Sequence, residues 1–88
     1  MISQKITVKN VAGLHARPAT LLVKEASKYQ SDITIVKNDR EGNAKSILGV
    51  MAMAAKKGDE IEIRVDGSDE KEALAAIITL FEFNFGEE

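Results

Sequence analysis

The strongest constraint on this chain is a period-two alternation that appears near its start, recurs near its end, and is interrupted in between by stretches of helical period. Ile2, Ile6 and Val8 alternate with Ser3, Lys5, Thr7 and Lys9. Ile61, Ile63 and Val65 alternate with Glu60, Glu62, Arg64 and Asp66. Alternation of this kind marks strands that bury one face and wet the other. A sheet built from such strands keeps its helices on the apolar side only.

The intervening segments supply those helices. Ala19, Leu22, Val23 and Ala26 fall at i, i+3, i+4 and i+7, one apolar stripe. Residues 32–37 alternate and are β-branched. Asn38-Asp39 then suits a tight turn into a short strand at 40–43. Ser46 to Ala55 reads as a second helix, ended by Gly58-Asp59. After the strand at 60–66, Gly67-Ser68-Asp69 turns the chain into a final helix. Asp69 followed by Glu72 resembles a capping box, and Leu74, Ile77, Ile78, Phe81 and Phe85 form its expected buried stripe. The predicted order is β-α-β-β-α-β-α, an α+β open-faced sandwich with three helices on one face of an antiparallel sheet. At 88 residues, one domain spanning 1–88 is expected.

Composition narrows the function. There are no cysteines, so thiolate chemistry, disulfides and cysteine-based metal sites are excluded. Net charge is −2, which provides no global pull toward nucleic acid or anionic membrane. No apolar run reaches transmembrane length and no signal-peptide core is visible, so a cytoplasmic protein is expected.

His15 is the only histidine, in the segment Gly13-Leu14-His15-Ala16-Arg17-Pro18-Ala19. It precedes the first helical stripe, where unpaired amides and the helix dipole favour anions. Arg17 adds a guanidinium whose fork matches phosphate oxygens. Pro18 is tolerated in a first turn. The arrangement suits a histidine that carries a phosphoryl group; a plain capping or surface role is the alternative. A hydrolytic triad lacks partners, and a structural zinc site lacks further ligands. No cofactor and no metal are expected.

A second signal is an excess of apolar surface. Leu21 lies with Arg17, Lys24 and Lys28 opposite the buried stripe of the first helix. Ile47, Leu48, Val50, Met51 and Met53 encircle the second helix, more than one stripe can bury. Apolar residues rimmed by charge mark partner surfaces. Ser46 heads that helix; it suits an N-cap and equally a phosphorylation switch beside the patch.

Taken together, GLHARPA at Gly13 to Ala19 and KSILGVM at Lys45 to Met51 resemble the HPr family, the histidine-containing phosphocarriers of the bacterial phosphoenolpyruvate-dependent sugar phosphotransferase system. The resemblance runs over essentially the whole chain and implies the sheet order 1-4-2-3. It implies that His15 is phosphorylated on Nδ1 by enzyme I and discharged by enzyme IIA domains, with Arg17 assisting. It matches Ser46 to a serine modified by HPr kinase/phosphorylase, whose product is a corepressor for catabolite control protein A. It matches Thr20, Leu21, Ile47, Leu48 and Met51, with the neighbouring Lys24, to a shared docking surface on a monomer. Such a protein is a stoichiometric intermediate, not an enzyme. Ala12 replaces a residue that is commonly polar, and Phe83 falls outside the buried stripe. Two other readings stand beside this one. The first is a regulatory paralogue, in catabolite control or a nitrogen-type phosphorelay, that acts by binding proteins. The second is a nucleic-acid module, which the acidic balance and the lack of aromatic strand faces disfavour.

Overall fold

The computed structural model describes residues 1–86. It places β1 at Ile2–Thr7, α1 at Ala16–Ala26, β2 at Asp32–Lys37, β3 at Arg40–Asn43, α2 at Ile47–Ala52, β4 at Glu60–Asp66 and α3 at Glu70–Glu82. A 3₁₀ turn follows at Asn84–Gly86. The strands form one antiparallel sheet in the order β1-β4-β2-β3, as the resemblance implies.

Register follows from the alternation. Ile6 faces Ile61, Ile63 lies between Gln4 and Ile35, and Val65 between Ile2 and Ile33. Ile33, Ile35, Ile61, Ile63 and Val65 are buried under the helices, whereas Glu60 is exposed and Glu62 and Arg64 half-buried. A slip of one residue would send every isoleucine to the polar face. On that open face Arg64 Nε meets Glu62 Oε1 at 2.9 Å, a partly exposed pair of small energetic weight. The core between sheet and helices includes Val8, Leu14, Leu22, Val50, Ile77 and Phe81.

Three local expectations change. First, α2 ends at Ala52, three residues early, because Ala54 adopts a left-handed conformation at φ 52°. Met53 consequently turns into the core and is buried. Second, the Asp69 side chain makes no capping bond to α3. Its carboxylate instead accepts the backbone N–H of Gln30 and of Ser31, each at 2.9 Å, and the Ser31 hydroxyl. Asp69 thus ties the exit of α1 to the entry of α3, some 38 residues away. Third, Ala73, Ile77 and Phe81 are the buried residues of α3, with Leu74 and Ile78 only half-buried at its flank. Phe85 is buried by a fold-back through left-handed Asn84 and Phe85, which seats its ring edge-on against Phe81 at 4.8 Å between centroids. Phe83 is 71 % exposed, as its place outside the stripe suggests.

The Asp69 clamp makes a pH prediction. The Ser31 hydroxyl, followed by the Gln30 and Ser31 amides, holds the Asp69 carboxyl below its ordinary value of 3.8. A depressed folded-state pKa stabilises the fold above the unfolded pKa, and this stabilisation is lost as pH falls through the folded one. Thermal stability is therefore expected to decline below about pH 4. Asp69→Asn should be less stable near neutrality and show a flatter decline, measured by melting at a series of acidic pH values. An equally steep decline in the variant would contradict this role.

Candidate functional site

The site is a loop before it is a residue. Residues Val8 to Leu14 leave the sheet at the end of β1 and reach the head of α1, fastened at both ends to the turn between α2 and β4. Val8 N donates to Asp59 O at 2.8 Å, Gly58 N to Val8 O at 2.8 Å, and Leu14 N to Ala55 O at 2.9 Å. That turn is itself braced. The Asp59 carboxylate accepts the Lys56 amide at 3.0 Å and pairs with Lys37 at 3.0 Å; these contacts, the Lys56 amide foremost, hold its carboxyl below the usual range. Lys37 Nζ also donates to Ala54 O at 3.1 Å.

Gly13 sits against this turn in a left-handed conformation, φ 63°. A Cβ there would stand 2.5 Å from Ala55 O and 2.7 Å from Lys56 Cα, both backbone atoms. Leu14 is buried on one side of His15, and Pro18 and Ala19 on the other. His15 itself is exposed between these anchors.

His15 occupies the N-cap position of α1 with extended angles (φ −125°, ψ 152°), and its side chain makes no capping hydrogen bond. The ring is therefore not spent on the role that most readily explains a histidine at a helix start. Ala16, the next residue, is left-handed at φ 41°, a conformation that costs a non-glycine residue about 1–3 kcal/mol and clusters at functional sites. No acidic side chain occupies the first turn of α1, so its free amides and dipole stay available to an anion. Arg17 is exposed and, among the described residues, pairs with no carboxylate. Also among the described residues, no group of histidine, aspartate and glutamate is arranged to hold a metal.

The second predicted element lies alongside, since α1 packs on α2. Ile47 is 43 % and Leu48 82 % exposed, while Leu21 and Met51 are half-buried against the core. The apolar excess is smaller than the sequence suggests because Val50 and Met53 are buried. Thr20 is exposed and donates its hydroxyl to Ala16 O at 3.2 Å. Lys24 is exposed in the last turn of α1, where a cation also complements the dipole. Ser46 caps α2, its Oγ accepting the Gly49 amide at 3.1 Å. Lys45 Nζ reaches back to Tyr29 O at 2.7 Å and ties α2 to the end of α1.

Sequence reasoning missed Asn10, which is 3 % exposed. Its Nδ2 donates to Gly13 O at 2.8 Å, and Gly13 N donates back to Asn10 O at 3.1 Å. The signal was present: asparagine three residues before glycine is turn chemistry, because its amide mimics backbone.

An open-faced α+β sandwich that mounts an exposed histidine at an unblocked helix N-terminus is the arrangement that the resemblance to histidine-containing phosphocarriers implies. The model of the family described as the phosphorylation site of the HPr component of the phosphotransferase system matches residues 2–82. The chain is 51 % identical to phosphocarrier protein HPr of Treponema pallidum over 88 residues, covering 100 % of both. It is 43 % identical over 82 residues to the HPr-like protein Crh of Halalkalibacterium halodurans, covering 93 % of this chain and 98 % of that one. A crystal structure of HPr from Thermoanaerobacter tengcongensis superposes with a TM-score of 0.97 at 44 % identity, covering 100 % of this chain and 99 % of that one. The chain belongs to the HPr family of phosphocarrier proteins.

Proposed function

We propose that His15 takes a phosphoryl group from phospho-enzyme I and passes it to enzyme IIA domains of sugar permeases, in the cytoplasm and as a monomer. One observation carries this reading: His15 is exposed on a fastened loop, with its side chain uncommitted, at a helix N-terminus free of acidic side chains.

In the transfer, Nδ1 of the neutral ring attacks phosphorus as the bond to the donor breaks, so the phosphoryl group changes partner without water intervening. Phosphoryl transfer makes few covalent demands on the protein beyond alignment and stabilisation of the equatorial oxygens. Arg17 and the first amides of α1 would supply that stabilisation. A helix terminus contributes about 0.3–1 kcal/mol to an exposed anion, enough to favour the phosphorylated form without trapping it. The protein is consumed and regenerated as a carrier and is not a catalyst.

Thr20, Leu21, Lys24, Ile47, Leu48 and Met51 would form the docking surface. Ser46 is proposed as a regulatory site for HPr kinase/phosphorylase, its phosphorylated form recognised by catabolite control protein A. The likeness to Crh supports a second reading, a regulatory protein acting by binding through Ser46; the presence of His15 favours the carrier.

Charged from phosphoenolpyruvate and enzyme I, the protein should lose its phosphoryl group to an added enzyme IIA domain, seen as label moving between bands. Retention of label against IIA domains of several sugar classes would favour the regulatory reading. Ser46→Asp is expected to lower kcat/KM with enzyme I by roughly tenfold, because the new charge sits beside the docking surface. An unchanged value would uncouple Ser46 from docking.

A further inference from the structure

Only two polar residues are buried in the described chain, Ser31 and Asn10. Ser31 belongs to the Asp69 clamp at the end of the sheet where β1 begins and β4 ends. Asn10 lies at the other end, inside the loop that carries His15, and nothing proposed above uses it.

A buried amide side chain must be hydrogen-bonded to be tolerated, and what it bonds reveals its task. Asn10 bonds Gly13 from within the same loop, through its side chain at 2.8 Å and its carbonyl at 3.1 Å. The bond to Leu14 from the neighbouring turn, at 2.9 Å, follows immediately. Asn10 thus closes the residues just before His15 into a rigid turn, while Ala55 fixes where that turn sits. Val11 and Ala12, which the closure spans, are exposed, so they contribute little packing that could hold the turn by itself. Ala12 also brings no polar side chain near His15. The placement of the ring therefore depends on backbone held from inside by Asn10.

We infer that Asn10 is a positioning residue for phosphoryl transfer, setting the Gly13–His15 backbone so that the ring meets the phosphorus in line. The inference rests on the carrier reading above. A misplacement of about 1 Å away from the reacting atoms can cost on the order of a hundredfold in rate. Docking, which uses α1 and α2, should be untouched.

The test compares Asn10→Ala and Asn10→Asp with wild type and with Asp69→Asn, a variant weakened at the opposite end of the sheet. Each is assayed as a substrate of enzyme I with phosphoenolpyruvate, well below its melting transition. Asn10→Asp keeps the size of the side chain and removes the Nδ2 donor, so it carries the test if the alanine variant does not fold. The expected result is a fall in kcat of roughly ten- to hundredfold with KM within about twofold of wild type, and an unchanged kcat in Asp69→Asn. Wild-type kcat in a folded Asn10 variant would overturn the inference while leaving the carrier reading intact. The same would follow if Asp69→Asn lost kcat in proportion to its lost stability, because a structural role would then suffice. Wild-type protein that accepts no phosphoryl group would overturn the carrier reading, and this inference with it.

Discussion

His15→Ala is expected to accept no acid-labile phosphoryl group from phosphoenolpyruvate and enzyme I while folding as wild type does. The chemistry is lost because His15 is the only imidazole in the chain and no cysteine could substitute as a nucleophile. The fold survives because the ring is exposed and makes no capping bond. Its removal takes away neither core volume nor a paired group, and exposed substitutions of that kind stay within about 0.5 kcal/mol. Alanine, like any L residue, adopts the extended angles of the N-cap without strain. The combination separates function from folding: phosphorylation gone, melting temperature nearly unmoved. A variant that melts much earlier would show that His15 supports the loop and is not simply presented by it.

Gly13→Ala is the second large effect, and it reverses that pattern. Two terms add. A left-handed alanine costs roughly 1–2 kcal/mol. The added methyl also meets Ala55 O and Lys56 Cα at distances no Cβ tolerates, and overpacking of this kind typically costs about 1–3 kcal/mol. Both obstructing atoms are backbone, in a turn held by Asp59 and Lys37, so no side chain can swing aside. A loss of about 2–5 kcal/mol, or on the order of 10–25 °C in melting temperature for a domain of this size, is expected. Phosphorylation should fall as well, because the loop can relieve the clash only by lifting away from the turn, carrying His15 with it. Melting within about 2 °C of wild type would contradict the packing described.

The sheet was legible from the start because its signal is local and repeated. Ile61, Ile63 and Val65 can be buried together only if Glu60, Glu62, Arg64 and Asp66 face the other way, and no long-range contact is needed to see this. The order of the strands was not legible from periodicity and came through the resemblance, since alternation says which face is buried and not which neighbour is met. The misread boundaries are those where a distant partner overrides a local preference. Asp69 has a capping box available within three residues and spends its carboxylate on Gln30 and Ser31 instead. Residues 53–55 have helical composition, yet Ala54 leaves the helix while the Ala54 and Ala55 carbonyls accept from Lys37 and Leu14. At the site, the chemistry-bearing residues announce themselves by type. Around them, Asn10 leaves a local trace in its spacing to Gly13, whereas the Lys37–Asp59 pair joins residues far apart in sequence and appears only when the chain is folded.

The central claim is that His15 is the one phosphoryl acceptor from enzyme I. Intact-mass measurement of the protein after incubation with phosphoenolpyruvate and enzyme I, before and after brief acid treatment, tests it most directly. The expected result is a gain of a single phosphoryl group that acid removes and that His15→Ala never acquires. A phosphoryl group that survives acid, or one still gained by His15→Ala, would contradict it.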